Sequence, residues 1–190
     1  MTQPCGYEIR RMRPEEFPLL WDFLYEAIFV PPDFEGEMPR SVITEDPKCR
    51  AAVEGFGTLP DDLAVVTAAD GRVVGACWAR TTDGYGHIDD ETPSLSVSLY
   101  EEHRGKGLGG AMMRTMLAEL GRAGYRRASL SVQKANPACI CSGPACRCRR
   151  LAAPPFPCRR PIPPCVCTSA WAFASRAPAP TTPNGSWCMT

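Results

Sequence analysis

The alternation of apolar and polar residues is clearest in the middle of the chain. Leu95, Val97 and Leu99 alternate with serines, which is the period of a β-strand. Further along, apolar residues recur at the spacing of one helix face: Met112, Met113, Met116, Leu117 and Leu120. The pattern therefore predicts a buried strand, a glycine-rich turn and an amphipathic helix, in that order.

The pattern in the rest of residues 1–138 predicts further strands and helices around this unit. Strands are expected at 7–12, 63–67, 72–80 and 128–132. The dipeptide Asp70-Gly71 is typical of a hairpin turn between two of them. One helix is predicted to start at Pro14 and to stop before Pro31, and a second short helix is expected within 41–54. This order favours an α/β domain with a mixed, mostly antiparallel sheet flanked by helices.

The glycine-rich turn is suited to bind a pyrophosphate. It consists of Arg104, Gly105, Lys106, Gly107, Leu108, Gly109 and Gly110. Glycines let backbone N–H groups approach an anion closely, the following helix adds the positive end of its dipole, and two basic side chains add charge. A nucleotide P-loop is excluded because no Ser or Thr follows the Gly-Lys pair, and a dinucleotide turn normally follows the first strand of its domain. A glycine-rich helix start without a ligand is the alternative.

Arg104, Gly107 and Gly109 form an Arg-x-x-Gly-x-Gly motif between a strand and a helix. This motif resembles the acyl-CoA-binding motif of the GNAT superfamily of N-acyltransferases. The order of elements over residues 7–138 is also similar to the GNAT fold. We therefore expect a GNAT-like domain at 1–138, followed by an irregular segment at 139–190.

The resemblance implies acetyl-CoA as the co-substrate, with its pyrophosphate on the N–H groups of residues 104–110. It also implies that the backbone around Leu99 contacts the pantetheine arm and the thioester. Asn136 would flank the same arm, although it also fits an ordinary helix N-cap. The implied reaction is direct transfer of an acyl group, most often acetyl, to a primary amine, without a metal and without a covalent intermediate.

Deprotonation of the amine requires a carboxylate, or a water that a carboxylate holds. Glu26, beside Tyr25 on the first predicted helix, is one candidate for this base. Asp89 and Asp90 are two others, in an acidic cluster that would also suit a cationic acceptor; a solvated acidic loop is the alternative for that cluster. The acceptor is expected to be a small-molecule amine or a protein amine. The family's usual general acid, a tyrosine in the next helix, has no counterpart after Tyr125.

Charge and cysteine are unevenly distributed along the chain. The 21 acidic residues all lie in residues 1–138, which carry a net charge of −6, whereas residues 139–190 contain six arginines and eight of the 11 cysteines. No apolar run is long enough to span a membrane, and the N-terminus lacks the apolar core of a signal peptide. We therefore expect a cytoplasmic protein without a nucleic-acid or membrane partner, and a homodimer is one assembly that stays open.

Residues 139–190 show no hydrophobic period, and their ten prolines oppose regular helices and central strands. Three explanations compete: a metal module built from Cys-x-Cys pairs, a disulfide-bonded or disordered tail, and a shift of the reading frame near Ala138. In the shifted frame, the codons after Ala138 allow Val-His-Leu-Phe-Arg, and those of residues 183–190 allow the strand-like Glu-Trp-Ile-Met-Val-Tyr-Asp. We favour the frame shift.

Two functions other than acyl transfer follow from this tail. A chain without the normal end of the domain would be an impaired acyl-CoA-binding relic. Alternatively, the arginines of the tail would bind nucleic acid.

The frame hypothesis is tested by mass spectrometry of the protein purified from the organism that encodes it. We expect peptides of the shifted frame after Ala138, because only that frame restores the apolar pattern of a domain end. Peptides of residues 139–190 as written would contradict the hypothesis.

Overall fold

A computed structural model describes residues 6–30, 34–133 and 166–172 of the chain. The helices and strands, in chain order, are β1 (Tyr7–Arg11), a 3-10 helix (Pro14–Leu19), α1 (Leu20–Ala27), α2 (Ser41–Glu45), α3 (Pro47–Arg50), β2 (Leu63–Ala69), β3 (Arg72–Arg80), β4 (Ser94–Leu99), a 3-10 turn (Glu101–His103), α4 (Leu108–Arg122), β5 (Arg127–Gln133) and β6 (Val166–Ala172). Among these, no helix is long and apolar enough to cross a lipid bilayer.

The six strands form one sheet in the order β1-β2-β3-β4-β5-β6. Every neighbouring pair is antiparallel except β4 and β5, which run parallel. The parallel pair is joined by α4, because a chain that continues in a parallel strand must first cross back to the other end of the sheet. The prediction of a mixed, mostly antiparallel sheet flanked by helices is confirmed.

Each face of the sheet buries its own apolar cluster. Successive residues of a strand point to opposite faces, so Val66 and Trp78 pack on one side while Val65 and Cys77 pack on the other. The first side is covered by α1 and the segments that follow it, and the second side is covered by α4. The buried residues of α4 are Leu108, Met112, Met116 and Leu120.

Two of the observed helices differ from the predicted ones, and a proline explains each difference. The first begins as a 3-10 helix and becomes α-helical only at Leu20, because Pro18 has no N–H to donate. The second is divided in two at Pro47. There the Asp46 carboxylate accepts a hydrogen bond of 2.8 Å from the Lys48 N–H and so begins a new short helix.

One segment of the proline- and cysteine-rich tail is a strand. β6 pairs with β5 over its whole length, from Val166 opposite Gln133 to Ala172 opposite Arg127. The segment contains no proline, so every residue has the N–H that a ladder requires, and its valine, threonine and tryptophan favour extended structure. β6 is an edge strand of the sheet, whereas the prolines were expected to oppose helices and central strands, and the irregular tail stays a prediction for the other residues of 139–190. Asn136 and the other residues of the tail lie outside the described residues.

A buried arginine fixes the end of β3 to the loop that precedes β2. Arg80 and Asp62 form a two-point ion pair, with Nε–Oδ1 at 2.7 Å and Nη2–Oδ2 at 3.0 Å. The two side chains are only 5% and 1% exposed. The same guanidinium donates to the carbonyls of Ala51, Glu54 and Gly55. One side chain therefore holds this loop against the sheet.

We expect Arg80→Met to lower the free energy of unfolding by about 3–5 kcal/mol, because the Asp62 carboxylate would stay buried without its partner. Urea denaturation followed by circular dichroism measures this loss. The matched control is Arg126→Met at an exposed position, which should change stability by less than about 0.5 kcal/mol. A loss below about 1 kcal/mol at Arg80 would contradict the assigned role of the ion pair.

Candidate functional site

The two parallel strands separate along their length. β4 and β5 pair only at Ser94 with Ser129 and at Leu95 with Leu130, although β4 continues to Leu99. On their outer sides, β4 stays paired with β3 and β5 stays paired with β6. The backbone groups that face each other across the widening gap thus have no strand partner, and an extended ligand can hydrogen-bond to them.

The gap opens toward the glycine-rich turn, which follows β4 and leads into α4. Gly105 (φ 73°) and Gly107 (φ 77°) have the left-handed backbone that glycine adopts without strain. Gly107 immediately precedes α4, and its position is not capped by a side chain of the described residues. The first N–H groups of α4 are therefore available to an anion at the mouth of the gap.

Arg104 connects the turn to two neighbouring elements. Its Nε donates to the Leu99 carbonyl at 2.8 Å, and its Nη2 lies 3.2 Å from Oε2 of Glu26 at the end of α1. Its backbone N–H donates to the Glu101 carbonyl at 3.0 Å. The N–H and the guanidinium of Arg104 thus both have protein partners in this structure, and its contact with a phosphate stays a prediction. The available N–H groups begin at Gly105.

Leu99 and its neighbours set the spacing at the end of β4. A Cβ on Gly75, the residue opposite Leu99 in the ladder, would lie 2.5 Å from Leu99 Cδ2, and a Cβ on Gly109 would lie 3.5 Å from Cδ1. Gly75 therefore leaves the space that this leucine fills, whereas a Cβ on Gly109 would make only an ordinary van der Waals contact with it. On the other face, the Ser98 hydroxyl donates to the Phe23 carbonyl at 2.7 Å and ties α1 to the same strand end.

Lys106 lies between the two glycines of left-handed backbone and reaches the first strand. Its Nζ is 2.9 Å from the Tyr7 hydroxyl and 5.5 Å from the centre of the Tyr7 ring. The same hydroxyl is 3.0 Å from Nδ1 of His103, 96 residues further along the chain. The contact of Tyr7 with His103 could not be predicted from the sequence, because no local pattern marks a contact between residues so far apart.

Of the three carboxylates predicted as bases, only Glu26 reaches the turn, through Arg104. Asp89 Oδ2 is 3.1 Å from Nη2 of Arg127, the first residue of β5, and the adjacent Asp90 side chain is 97% exposed. Both aspartates thus lie at the amino ends of β4 and β5, about 16 Å from the carboxyl ends at a rise of about 3.3 Å per residue. The structure therefore does not bring these two aspartates to the turn, and their role as bases stays an untested prediction.

Tyr100, directly after Leu99, packs on the α1 side of the sheet. Its ring centre is 5.1 Å from that of Phe23. Burial raises the pKa of the Tyr100 phenol, and the charges of Asp22 and Glu26 raise it further. The hydroxyl is therefore protonated at neutral pH and is an available hydrogen-bond donor.

The free cysteines Cys49 and Cys77 do not supply thiolates near neutral pH. Burial raises the pKa of each thiol to about 12, and the Asp46 carboxylate adds to the effect at Cys49. Among the residues that the structure describes, no group of three His, Cys, Asp or Glu side chains is placed to hold a metal ion.

A mixed sheet whose parallel strands part beside an anion-binding glycine turn is the fold and site of an acyl-CoA-dependent acyltransferase. The model of the acetyltransferase (GNAT) family matches residues 20–140. The chain belongs to this family and is thus an acyl-CoA-dependent N-acyltransferase. Comparison with curated protein sequences finds no match.

Three solved structures show the extent of the likeness. The GNAT domain of S. lividans PAT is 15% identical with a TM-score of 0.54, over 88% of this chain and 90% of that chain. A GNAT family acetyltransferase from Brucella melitensis, solved with acetyl-CoA, is 25% identical with a TM-score of 0.44, over 65% and 74% of the two chains. PaiA N-acetyltransferase from Thermoplasma acidophilum, solved with coenzyme A, is 18% identical with a TM-score of 0.49, over 70% and 82%. The first of the three supports the fold.

We expect Gly107→Ala to weaken CoA binding about fivefold and to lower the free energy of unfolding by about 1 kcal/mol, because alanine is strained at this positive φ. Isothermal titration calorimetry and urea denaturation measure the two effects. Gly121→Ala in the same helix, where an added Cβ meets nothing within 4 Å, should leave binding unchanged and stabilise the protein by up to about 1 kcal/mol. Equal CoA affinity in both variants would overturn the assignment of the anion site.

Proposed function

We propose that this protein transfers an acetyl group from acetyl-CoA to a primary amine by direct attack. The observation that carries the proposal is the separation of β4 from β5 beside a turn with available N–H groups. A pantetheine arm that started at this turn could lie in the gap as an extended chain and hydrogen-bond to strand backbone. Its thioester would then lie between β4 and β5, where an amine could reach it from one face of the sheet.

In the proposed reaction, the lone pair of a neutral amine attacks the thioester carbonyl carbon. The intermediate collapses as the C–S bond breaks, the electron pair leaves with sulfur as the CoA thiolate, and the amine proton passes to a base or to water. Backbone N–H groups around Leu99 would stabilise the oxyanion. The N–H groups from Gly105 to Gly110 would bind the pyrophosphate, and Asn136 would flank the CoA arm.

The acceptor is proposed to approach from the side of the sheet that carries α1, since α4 covers the other side. Leu95, Val97 and Leu99 belong to the α4 side, so the alternating serines of β4 lie on the α1 side, where Ser98 is bonded to the Phe23 carbonyl. Asp22 and Glu26 are close enough to this region to raise the pKa of Tyr100. Their negative charges favour a cationic amine, either a small molecule or an amine of a protein.

A second candidate is binding of acyl-CoA without turnover. One observation favours it: Glu26, the carboxylate that reaches the turn, already has one oxygen paired with Arg104. Only its other oxygen is then left to accept a proton. For either candidate we propose a cytoplasmic location, no nucleic acid or membrane as partner, and action as a monomer or a homodimer.

The test incubates the full chain with acetyl-CoA and a panel of amines, from polyamines and aminoglycosides to peptides with free N-termini. Acetylated products are detected by mass spectrometry, because the protein's own cysteines would disturb a thiol assay. Calorimetry with CoA runs in parallel. Turnover of an amine supports the proposal, whereas CoA binding without any acetylated amine supports the second candidate.

We expect Glu26→Gln to lower kcat at least tenfold and to change the Kd of CoA less than threefold. The amide keeps a hydrogen-bond acceptor for Arg104 but cannot take a proton, directly or through a water. Asp90→Asn is the matched control at the opposite end of β4 and should retain full activity. A loss confined to CoA affinity would show that Glu26 only positions Arg104.

A further inference from the structure

Tyr100 is held in a fixed position at the open end of the gap. Its backbone N–H donates to the Val74 carbonyl at 3.1 Å, at a β-bulge where β3 has one residue more than β2. Its ring lies against the fully buried Phe23, with the ring centres 5.1 Å apart. The sheet and α1 therefore both hold this tyrosine, which directly follows Leu99.

The bond to Val74 also shows which way the end of β4 faces. Neighbouring residues of a strand direct their backbone groups to opposite edges, so the N–H of Tyr100 faces β3 while the backbone groups of Leu99 face β5 and the gap. The side chains alternate as well, with Leu99 on the α4 side and Tyr100 on the α1 side. A thioester carbonyl on the Leu99 N–H would thus have its sulfur close to Tyr100, on the side proposed for the acceptor.

The hydroxyl of Tyr100 differs from those of the other four tyrosines of the chain. It has no hydrogen-bond partner among the described residues, and it lies at the open end of the gap. Tyr7, Tyr25 and Tyr85 are each hydrogen-bonded to another residue. Tyr125 precedes β5 and so lies at the closed end. Only Tyr100 therefore combines the place and the available proton among the tyrosines of the described part of the chain.

The proposed reaction needs a proton at this place, because the electron pair of the broken C–S bond stays on sulfur. Burial keeps the Tyr100 phenol neutral by raising its pKa, and the charges of Asp22 and Glu26 raise that pKa further. When Glu26 takes the proton of the attacking amine, one of these charges is lost. Tyr100 then becomes a stronger acid at the stage when the sulfur requires a proton.

We propose that Tyr100 is the catalytic acid of this protein and donates its hydroxyl proton to the sulfur of CoA as the thioester breaks. The O–H bond breaks and an S–H bond forms, so CoA leaves as the thiol. The phenolate then regains a proton from Glu26, directly or through a water. The inference rests on the proposed acetyl transfer to an amine. It places the acid at the end of β4, whereas the resemblance implies a tyrosine in a helix after β5.

The experiment measures kcat and the Kd of CoA for the full chain and for Tyr100→Phe, which keeps the ring against Phe23 but removes the hydroxyl. We expect kcat to fall about a hundredfold, as for loss of a general acid, and the Kd to change less than about twofold. Tyr125→Phe is the matched control. Burial raises the pKa of that phenol too, but its place at the closed end should leave kcat unchanged.

A change of acidity at the same position tests the proton transfer itself. In the unchanged protein, kcat should fall only above about pH 10, because the acid must be protonated and its pKa lies above the ordinary tyrosine value. With 3,5-difluorotyrosine at position 100, the more acidic phenol should move this fall toward neutral pH. The same replacement at position 125 should not move it.

Three results overturn the inference: a kcat in Tyr100→Phe within about threefold of the unchanged protein, a loss confined to CoA affinity, or a pH profile that difluorotyrosine at position 100 leaves in place. If the unchanged protein acetylates no amine of the panel, the proposed function fails and this assignment fails with it. If it acetylates an amine and Tyr100→Phe does so equally well, only the present inference fails.

Discussion

The short pairing between β4 and β5 is the constraint on which the site depends. Two parallel neighbours in a sheet require a crossover, and α4 is that crossover. Its first turn must begin close to the end of β4, so the connection that makes the pair parallel also brings free N–H groups to the mouth of the gap. The outer partners β3 and β6 satisfy the other edge of each strand. Each of the two strands therefore keeps the hydrogen bonds of its outer edge, although a gap separates them inside the sheet.

The two ends of β4 are held by different kinds of interaction. Near its start, Arg80 lies opposite Ser94 in the ladder and carries the buried ion pair with Asp62. At its end, the pair of Arg104 and Glu26 is 50% and 33% exposed, and an ion pair so open to water contributes at most about 1 kcal/mol. The closed end of the gap is thus rigid, and the open end can adjust at little cost when a ligand enters.

Local patterns were enough to predict most of the elements, because each depends on neighbours in sequence. The hairpin is an example: Asp70 (φ 49°) and Gly71 (φ 77°) adopt the conformation that an Asp-Gly turn predicts. The glycine-rich turn was predictable for the same reason. The motif also marks the family, which the match over residues 20–140 shows.

Other features depend on which strand ends meet in space, and no local pattern contains that information. Asp89 and Asp90 adjoin the central strand in sequence but lie at its far end. The contact of Tyr7 with His103 joins residues 96 positions apart. The place of β6 beside β5 rests on backbone hydrogen bonds, which require no particular residue type, so composition alone did not predict it.

The different cations of the turn follow from the geometry that each position demands. At position 104, one side chain must reach a carbonyl and a carboxylate that lie in different directions, and the planar fork of a guanidinium does this with separate nitrogens. At position 106, the cation meets a single hydroxyl and the face of a ring, which a compact ammonium on a flexible stem satisfies while keeping donors free. Arginine therefore connects α1, β4 and the turn, and lysine connects the turn to β1. A lysine at position 104 would lose this double contact, because one ammonium cannot reach the carbonyl and the carboxylate with separate nitrogens.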